Sequence, residues 1–250
     1  SCVVNLVGIL RPGGGQSFQG AHVDAPDLIA TASASLGVET LVQMSAIGAD
    51  VSAASSYARS RGEGEAATRK AFPNATILRP SIIFGSEDGF FNLFARMMRW
   101  SRGFFPSFGG GTTRFQPVYV GDVADAVSVA LANSKCRGRI YELGGPSEFT
   151  LQQILGLIAQ LTGRKFIYVP VPFFMLSIAG VLLGWLPFAP ITYDQVKLLR
   201  KDNVVKGGQD AGTVETLAEL GISPTSVEAV VPSYLVVYRP TGQYFERESV

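Results

Sequence analysis

Through the first two thirds of the chain, short apolar runs bounded by turn residues alternate with stretches whose apolar residues recur at helical spacing. That alternation marks βαβ units around a parallel sheet. Val3 to Val7 predicts a first strand, followed by a glycine-rich turn from Arg11 to Gly15. A helix is expected to begin near Asp24, whose carboxylate can cap, with Pro26 in the first turn where a missing N–H costs nothing, and to end at Gly37. Leu41 to Ser45 predicts a second strand, and Tyr57 to Ala71 a helix started by Ser55 or Ser56. Thr76 to Ile83 predicts a third strand, in which Pro80 argues for an edge position or a bend near a ligand.

Phe90 to Trp100 reads as a short aromatic and basic helix. Val123, Ala126, Val127, Ala130 and Leu131 form one helical face, with Asp122 and Asp125 placed to favour the helix dipole. Arg139 to Leu143 and Phe166 to Val171 predict strands. Between them Thr150-Leu-Gln-Gln153 predicts a capping box opening a helix that Gly163 stops. Beyond Pro172 the sheet-building rhythm fades. An apolar segment from Phe173 to Phe188, a second capping box at Thr192-Tyr-Asp-Gln195, a glycine-bearing linker from Lys201 to Gly212 and helical pieces after Thr213 predict a C-terminal lobe.

Composition narrows the function classes. The 21 basic and 20 acidic residues nearly cancel, so the balance gives no reason to expect nucleic acid. Cys2 and Cys136 fit neither a disulfide framework nor a zinc spacing, and with His22 as the one histidine no metal site is expected. A mean hydropathy of +0.24 and 16% charged residues leave room for a buried partner surface. The apolar segment is interrupted by Ser177, Gly180 and Gly184 and falls short of the roughly 20 residues a membrane-crossing helix needs. It reads either as a docking surface or as core of the lobe. The chain opens at Ser1 directly into a strand-like run, with no signal or transit peptide visible, an abrupt start for an organised domain. Arg96, Arg99 and Arg102, beside Phe91, Phe94 and Trp100, are spaced as a helix stripe. Such stripes are commonly solvated faces; the sharper reading is a surface for acidic lipid head groups or a neighbouring subunit.

The strongest chemical pattern is Tyr57-Ala-Arg-Ser-Arg61 at the start of a helix, shortly after the strand ending in Met44-Ser45. Residues four apart share a helix face, so the phenol and the cation can meet one ligand. Here the sequence resembles the short-chain dehydrogenase/reductase superfamily, whose motif is Tyr-x-x-x-Lys. A fixed cation lowers the tyrosine pKa from about 10, so that the phenol can exchange a proton with a carbonyl or alcohol. The family lysine also holds the nicotinamide ribose. Arg61 stands in its place, which keeps the charge and puts the proton-relay geometry in question. The loop Ser45-Ala46-Ile47-Gly48 offers only Ser45 where the family usually has a substrate-binding serine or threonine. Tyr57, Arg61 and Ser45 are therefore vestigial catalytic candidates, and turnover is not expected.

Downstream, Ile77-Leu-Arg-Pro-Ser81 through Phe84-Gly85, Phe115 to Ala124 and Tyr141-Glu-Leu-Gly-Gly-Pro146 resemble successive landmarks of the extended and atypical branch of that superfamily. Asn5-Leu-Val-Gly-Ile-Leu10, Ser45-Ala-Ile-Gly-Ala49, Asp202-Asn-Val-Val205 and Pro232-Ser-Tyr234 are similar to the 39 kDa nucleotide-binding accessory subunit family of mitochondrial respiratory complex I and its α-proteobacterial relatives. The resemblance implies tightly held NADPH used structurally, with cofactor contacts from Asn5, Leu6, Val7, Gly8, Ser45, Tyr57, Arg61, Pro80 and Ser81. It implies an α/β, Rossmann-like doubly wound parallel sheet over residues 1–171, lacking the N-terminal strands and glycine-rich loop, and a smaller, mostly helical lobe over residues 172–250. Gly13-Gly14-Gly15 does not supply the fingerprint, so nucleotide binding is expected to need a segment before Ser1. Expected partners are other complex I subunits near the membrane, with phospholipid head groups a further candidate. The expected location is the matrix side of the mitochondrial inner membrane, or in a bacterium the cytoplasm or inner-membrane face. The alternative is a free-standing NAD(P)-dependent reductase, epimerase or isomerase.

Overall fold

A computed structural model describes residues 1–101, 103–183, 192–206, 214–240 and 242. It is an α/β structure whose contacts group into two compact units. One comprises Ser1–Ser81, Gly121–Gly144 and Asn203–Pro224; the other comprises Ile82–Val120, Gly145–Asp202 and Thr225–Val250. Because the chain passes between them repeatedly, the expected boundary between residues 171 and 172 falls inside the second unit. Arg102, Trp185, Leu186 and residues 207–212 of the linker lie outside the described residues.

In the first unit, β1 (Cys2–Asn5), α1 (Ala25–Ser35), β2 (Thr40–Met44), α2 (Ser56–Ala71) and β3 (Thr76–Pro80) follow in chain order. The strands Ile140–Leu143 and Val214–Glu215 complete a five-stranded sheet that is parallel throughout, in the order β1, β2, β3, Ile140–Leu143, Val214–Glu215. Leu41, Val42, Ile77 and Leu78 are fully buried, as expected of strands covered on both faces. Ala30, Phe72 and Ala75 pack against Leu41 and Ile77 on one of those faces.

Three local expectations change. The helix expected near Asp24 begins earlier, because a π-helical turn over Gln19–Asp24 runs directly into α1. Asp24 makes no capping bond; its carboxylate accepts from Gln19 Nε2 at 2.8 Å. Pro80 lies neither on an edge strand nor inside a long one. β3 sits mid-sheet and ends at Pro80, where a missing donor interrupts no further rung, and Ile83–Phe84 pairs instead with Val118–Tyr119 in the second unit.

Helix α2 opens as expected, with Ser55 Oγ accepting from the Ala58 N–H at 3.4 Å. Its interior carries Gly62 and Gly64, each costing about 1 kcal/mol relative to alanine. A Cβ on Gly62 would collide with the backbone of Asp50 and Val51, and one on Gly64 with the carbonyl of His22. The two glycines let a loop and the π-helical turn close directly onto the helix.

The second unit is built on aromatic packing. Phe84, Phe91 and Phe105 are buried with Leu151, Ile154 and Ile158 from the helix Leu151–Leu161. Both expected capping boxes are present: Thr150 N–H reaches Gln153 Oε1 at 2.7 Å, and Thr192 N–H reaches Gln195 Oε1 at 2.9 Å. The strand Ile167–Val171 pairs in parallel with Phe104–Phe108, a strand the sequence pattern did not announce. The apolar segment begins as the helix Phe173–Leu183. Among the described residues, no helix is long and apolar enough to cross a membrane, and no cluster of His, Cys, Asp or Glu could hold a metal ion.

Candidate functional site

The sequence-predicted residues converge where β1, β2 and β3 end, the side on which open α/β sheets take ligands. Asn5 closes β1 and is buried. Its Nδ2 donates to Gln43 Oε1 at 2.8 Å, and its Oδ1 accepts from the Val7 N–H at 3.0 Å. The side chain thus fixes the register of two strand ends while turning the chain outward, so that Leu6, Val7 and Gly8 are exposed.

Arg61 comes from α2 and spans the same two strand ends. Its Nη1 donates to the Met44 carbonyl at 3.2 Å and the Val7 carbonyl at 3.3 Å. The guanidinium presses so closely on Gly8 that any side chain there would collide with it. Its carbon lies 5.5 Å from the centre of the Tyr57 ring, so the two motif residues do share a face. The cation is therefore braced on main-chain oxygens, and an always-protonated guanidinium held this way supplies fixed charge without relaying a proton.

Two polar atoms in this neighbourhood are buried without a partner: Ser45 Oγ, at the end of β2, and Arg61 Nε. Leaving either unpaired costs on the order of 1 to 3 kcal/mol, a deficit that a ligand oxygen or a water would relieve. Pro80 contributes its carbonyl, which accepts from the Ile47 N–H at 3.0 Å and ties down the loop after β2. Ser81 faces elsewhere: its Oγ is 2.6 Å from Asn203 Oδ1, within the Asp202-Asn-Val-Val205 segment.

The sequence pattern missed two groups. Arg79 makes a bidentate pair with Glu65, at 2.9 and 2.6 Å, and lies 3.9 Å from Glu142, whose other oxygen accepts from the Lys206 N–H at 2.9 Å. Burial opposes the Arg79 charge, but hydrogen bonding and charge from Glu65, with Glu142 and Asp50 adding to them, hold its pKa above the ordinary range. The second group is His22, enclosed by Phe18, Tyr57 and Ser60. Burial, helped by the Arg61 charge, pushes its pKa down to about 4. Its standing as the one histidine was the only signal in the sequence.

Two glycine-bearing stretches of the first unit differ from a dinucleotide-binding loop in their setting. Gly13 and Gln16 bond to each other at 2.9 and 3.1 Å across a tight turn in which Gly14 and Gly15 have positive φ. Gly62-Glu-Gly64-Glu-Ala-Ala67 spells a dinucleotide fingerprint, yet it lies inside α2 and not between a strand and a helix, which the motif requires.

No family model matches the chain. Among curated proteins, it is 35% identical to the mitochondrial NADH dehydrogenase [ubiquinone] 1 alpha subcomplex subunit 9 of Rattus norvegicus, over 90% of this chain and 59% of that one. The Arabidopsis thaliana protein of the same name is 32% identical, over 97% of this chain and 62% of its own length. The chain is a relative of these subunit 9 proteins. The 40 kDa subunit of mitochondrial NADH-ubiquinone oxidoreductase from Neurospora crassa is 28% identical, again over 97% of this chain and 62% of that one. The chain spans about three fifths of the length of these relatives. Among solved structures, gox2253 superposes with a TM-score of 0.69 at 19% identity, covering 97% of this chain and 79% of that one. The UDP-glucuronic acid 4-epimerase of Bacillus cereus, in complex with UDP-glucuronic acid and NAD, gives 0.62 at 16% identity, covering 94% and 74%. At such identities the likeness shows the fold, which is Rossmann-type α/β as expected.

Proposed function

We propose that this chain supplies the nicotinamide-ribose side of a dinucleotide site in an accessory subunit of respiratory complex I, and that it holds NADPH without turning it over. The observation that carries the reading is the presence of two orphaned buried atoms, Ser45 Oγ at the end of β2 and Arg61 Nε, with the Arg61 guanidinium against the Tyr57 ring. Ser45 and Arg61 would hold a ribose hydroxyl, with Leu6 to Gly8 and Tyr57 lining the approach. The bound nucleotide would supply hydride chemistry, which no residue here is arranged to use. The Arg61 brace on the Val7 and Met44 carbonyls favours a fixed electrostatic contact over an acid–base partnership with Tyr57.

Homology to mitochondrial subunits of NADH dehydrogenase supports assembly or stability of that complex as the role, with other complex I subunits as partners. The helix Phe173–Leu183 supports a docking role, since Phe174, Met175, Ile178, Val181 and Leu182 are all more than half exposed. With mitochondrial relatives, the reading places the chain peripherally, on the matrix side of the inner membrane. The exposed Arg96, Arg99 and Trp100 suit contact with phospholipid head groups. A second reading, a free-standing epimerase or reductase, is favoured by Tyr57 and by the epimerase likeness.

Saturation-transfer NMR with NADPH tests the site assignment. Because neither Gly13–Gly15 nor Gly62–Ala67 stands between a strand and a helix N-terminus that could receive phosphate, affinity of the isolated chain is expected to be weak. Ser45→Ala and Arg61→Leu should reduce transfer to the ribose protons severalfold, and Tyr57→Phe should leave it nearly unchanged. Equal transfer in all four proteins would contradict the assignment.

A further inference from the structure

The exposed segment Leu6–Leu10 leaves the sheet at Asn5 and takes part in no backbone ladder. Among the described residues three hydrogen bonds hold it, and each comes from a side chain. Asn5 takes the Val7 N–H, Arg61 donates to the Val7 carbonyl, and His22 Nε2 takes the Ile9 N–H at 3.0 Å. The first two were expected to belong to the site; the third was not.

From these contacts we propose that His22 is a positioning residue. It pins Leu6–Leu10 against α2 and keeps the Val7 carbonyl where Arg61 reaches it. The arrangement admits one protonation state of the ring. Since Ile9 donates to Nε2, that nitrogen carries a lone pair and the proton is on Nδ1, which lies 2.8 Å from Ser60 Oγ. Ser60 then donates to the Tyr57 carbonyl at 2.9 Å. A chain of three hydrogen bonds thus runs from the segment to the turn of α2 that bears Tyr57 and Arg61. Phe18 stacks on the imidazole at 5.2 Å and Tyr57 meets it edge-on at 5.3 Å, so the ring cannot turn without displacing aromatic neighbours.

The backbone is arranged to put it there. His22 lies within the π-helical turn Gln19–Asp24, a geometry that is rare and concentrated at functional sites. Its carbonyl seats on Gly64, where no side chain would fit. From α2 the ring faces the Arg61 charge and the Tyr57 phenol; from α1 Pro26 packs alongside at Gly64; from the segment it meets the Ile9 amide; within its own turn Asp24 is engaged by Gln19. A neutral imidazole is the form these surroundings favour, and protonation would turn the Nε2 acceptor into a donor facing another donor. The pin rests on the nucleotide reading for its purpose only, since Leu6 to Gly8 line the proposed site.

Because His22 is the sole histidine, its two ring nitrogens are identified without ambiguity in long-range proton–nitrogen spectra of the 15N-labelled 250-residue chain. The expected spectrum has a protonated Nδ1 and a bare Nε2, unchanged from pH 8 to pH 5.5. A protonated Nε2, or a midpoint near 6.5, overturns the proposal. In hydrogen exchange, His22→Phe should speed the Ile9 amide at least tenfold, and His22→Gln, which keeps an acceptor, should recover part of that protection. If His22→Phe does not fold, Ser60→Ala serves in its place, and a wild-type-like tautomer in that variant counts against the relay. Unchanged Ile9 exchange in a folded His22→Phe protein also overturns the pin. Faster exchange with unchanged NADPH saturation transfer would leave the pin standing and remove its nucleotide purpose, so the two failures are told apart.

Discussion

At the strand ends of the first unit, the Val7 amide, the Val7 carbonyl and the Ile9 amide are each held by a polar side chain of that unit. Along the helix Phe173–Leu183 of the second unit, by contrast, large apolar side chains stand in solvent, with Leu176 turned inward and an open cleft of about 300 Å³ lined by Ile178, Val181, Leu182 and Tyr193. In the first region Asn5, Arg61 and His22 converge on five residues of chain, and Gly8 and Gly64 leave room for them. The second is under-satisfied, since a helix apolar all round is ordinarily buried. A region held by convergent polar contacts suits fixed geometry around a small ligand, while bare apolar surface suits a macromolecular partner.

Substitutions should separate the regions by their effect on stability. The largest loss is expected from Gly64→Val, which must displace the His22 backbone; chemical denaturation should show about 3 kcal/mol or more. Arg61→Leu removes two charge-assisted bonds to carbonyls and should cost about 2 kcal/mol in the same assay, with Arg61→Lys intermediate.

The pH dependence gives a third, graded test. His22 has a folded-state pKa near 4 against an ordinary 6.5, so the unfolded chain binds the proton more readily. Its contribution is fully present above about pH 6.5 and is lost as pH falls toward 4, with a slope of up to about 1.4 kcal/mol per pH unit. Denaturation midpoints of wild type and His22→Phe should converge across that window. Parallel profiles would mean that the imidazole is not held neutral.

The smallest stability effect belongs to the helix. Ile178→Ser with Val181→Ser should change unfolding free energy by no more than about 0.5 kcal/mol, since both residues are largely exposed. It should nevertheless reduce co-migration with assembled complex I in native gels. A large destabilisation would show that these residues are core, and would erase the contrast.

The sequence disclosed the two regions unequally. Tyr57, Arg61, Ser45 and Asn5 were legible because a helix period and strand-end turns place them without knowledge of the rest of the fold. His22 was not, because its role depends on a π-helical turn meeting α2 at Gly64, a contact between residues 42 positions apart in the chain. Of the two readings of Pro80, the edge position failed for a related reason: a proline at the last residue of a central strand looks the same in sequence as one on an edge. Both capping boxes were legible since they are local. Phe104–Phe108 was not, because Pro106 and the mixed alternation hide a strand that exists only through pairing with Ile167–Val171.

The central claim, nucleotide held but not used, is tested most directly by following NADPH absorbance at saturating nucleotide, with the protein and a panel of aldehydes, ketones and sugar nucleotides. The account predicts no oxidation above the buffer rate for the natural sequence, and a measurable gain only when Arg61→Lys is combined with Ile47→Ser. Substantial turnover by the unmodified protein, lost in Tyr57→Phe, would contradict it and establish an enzyme.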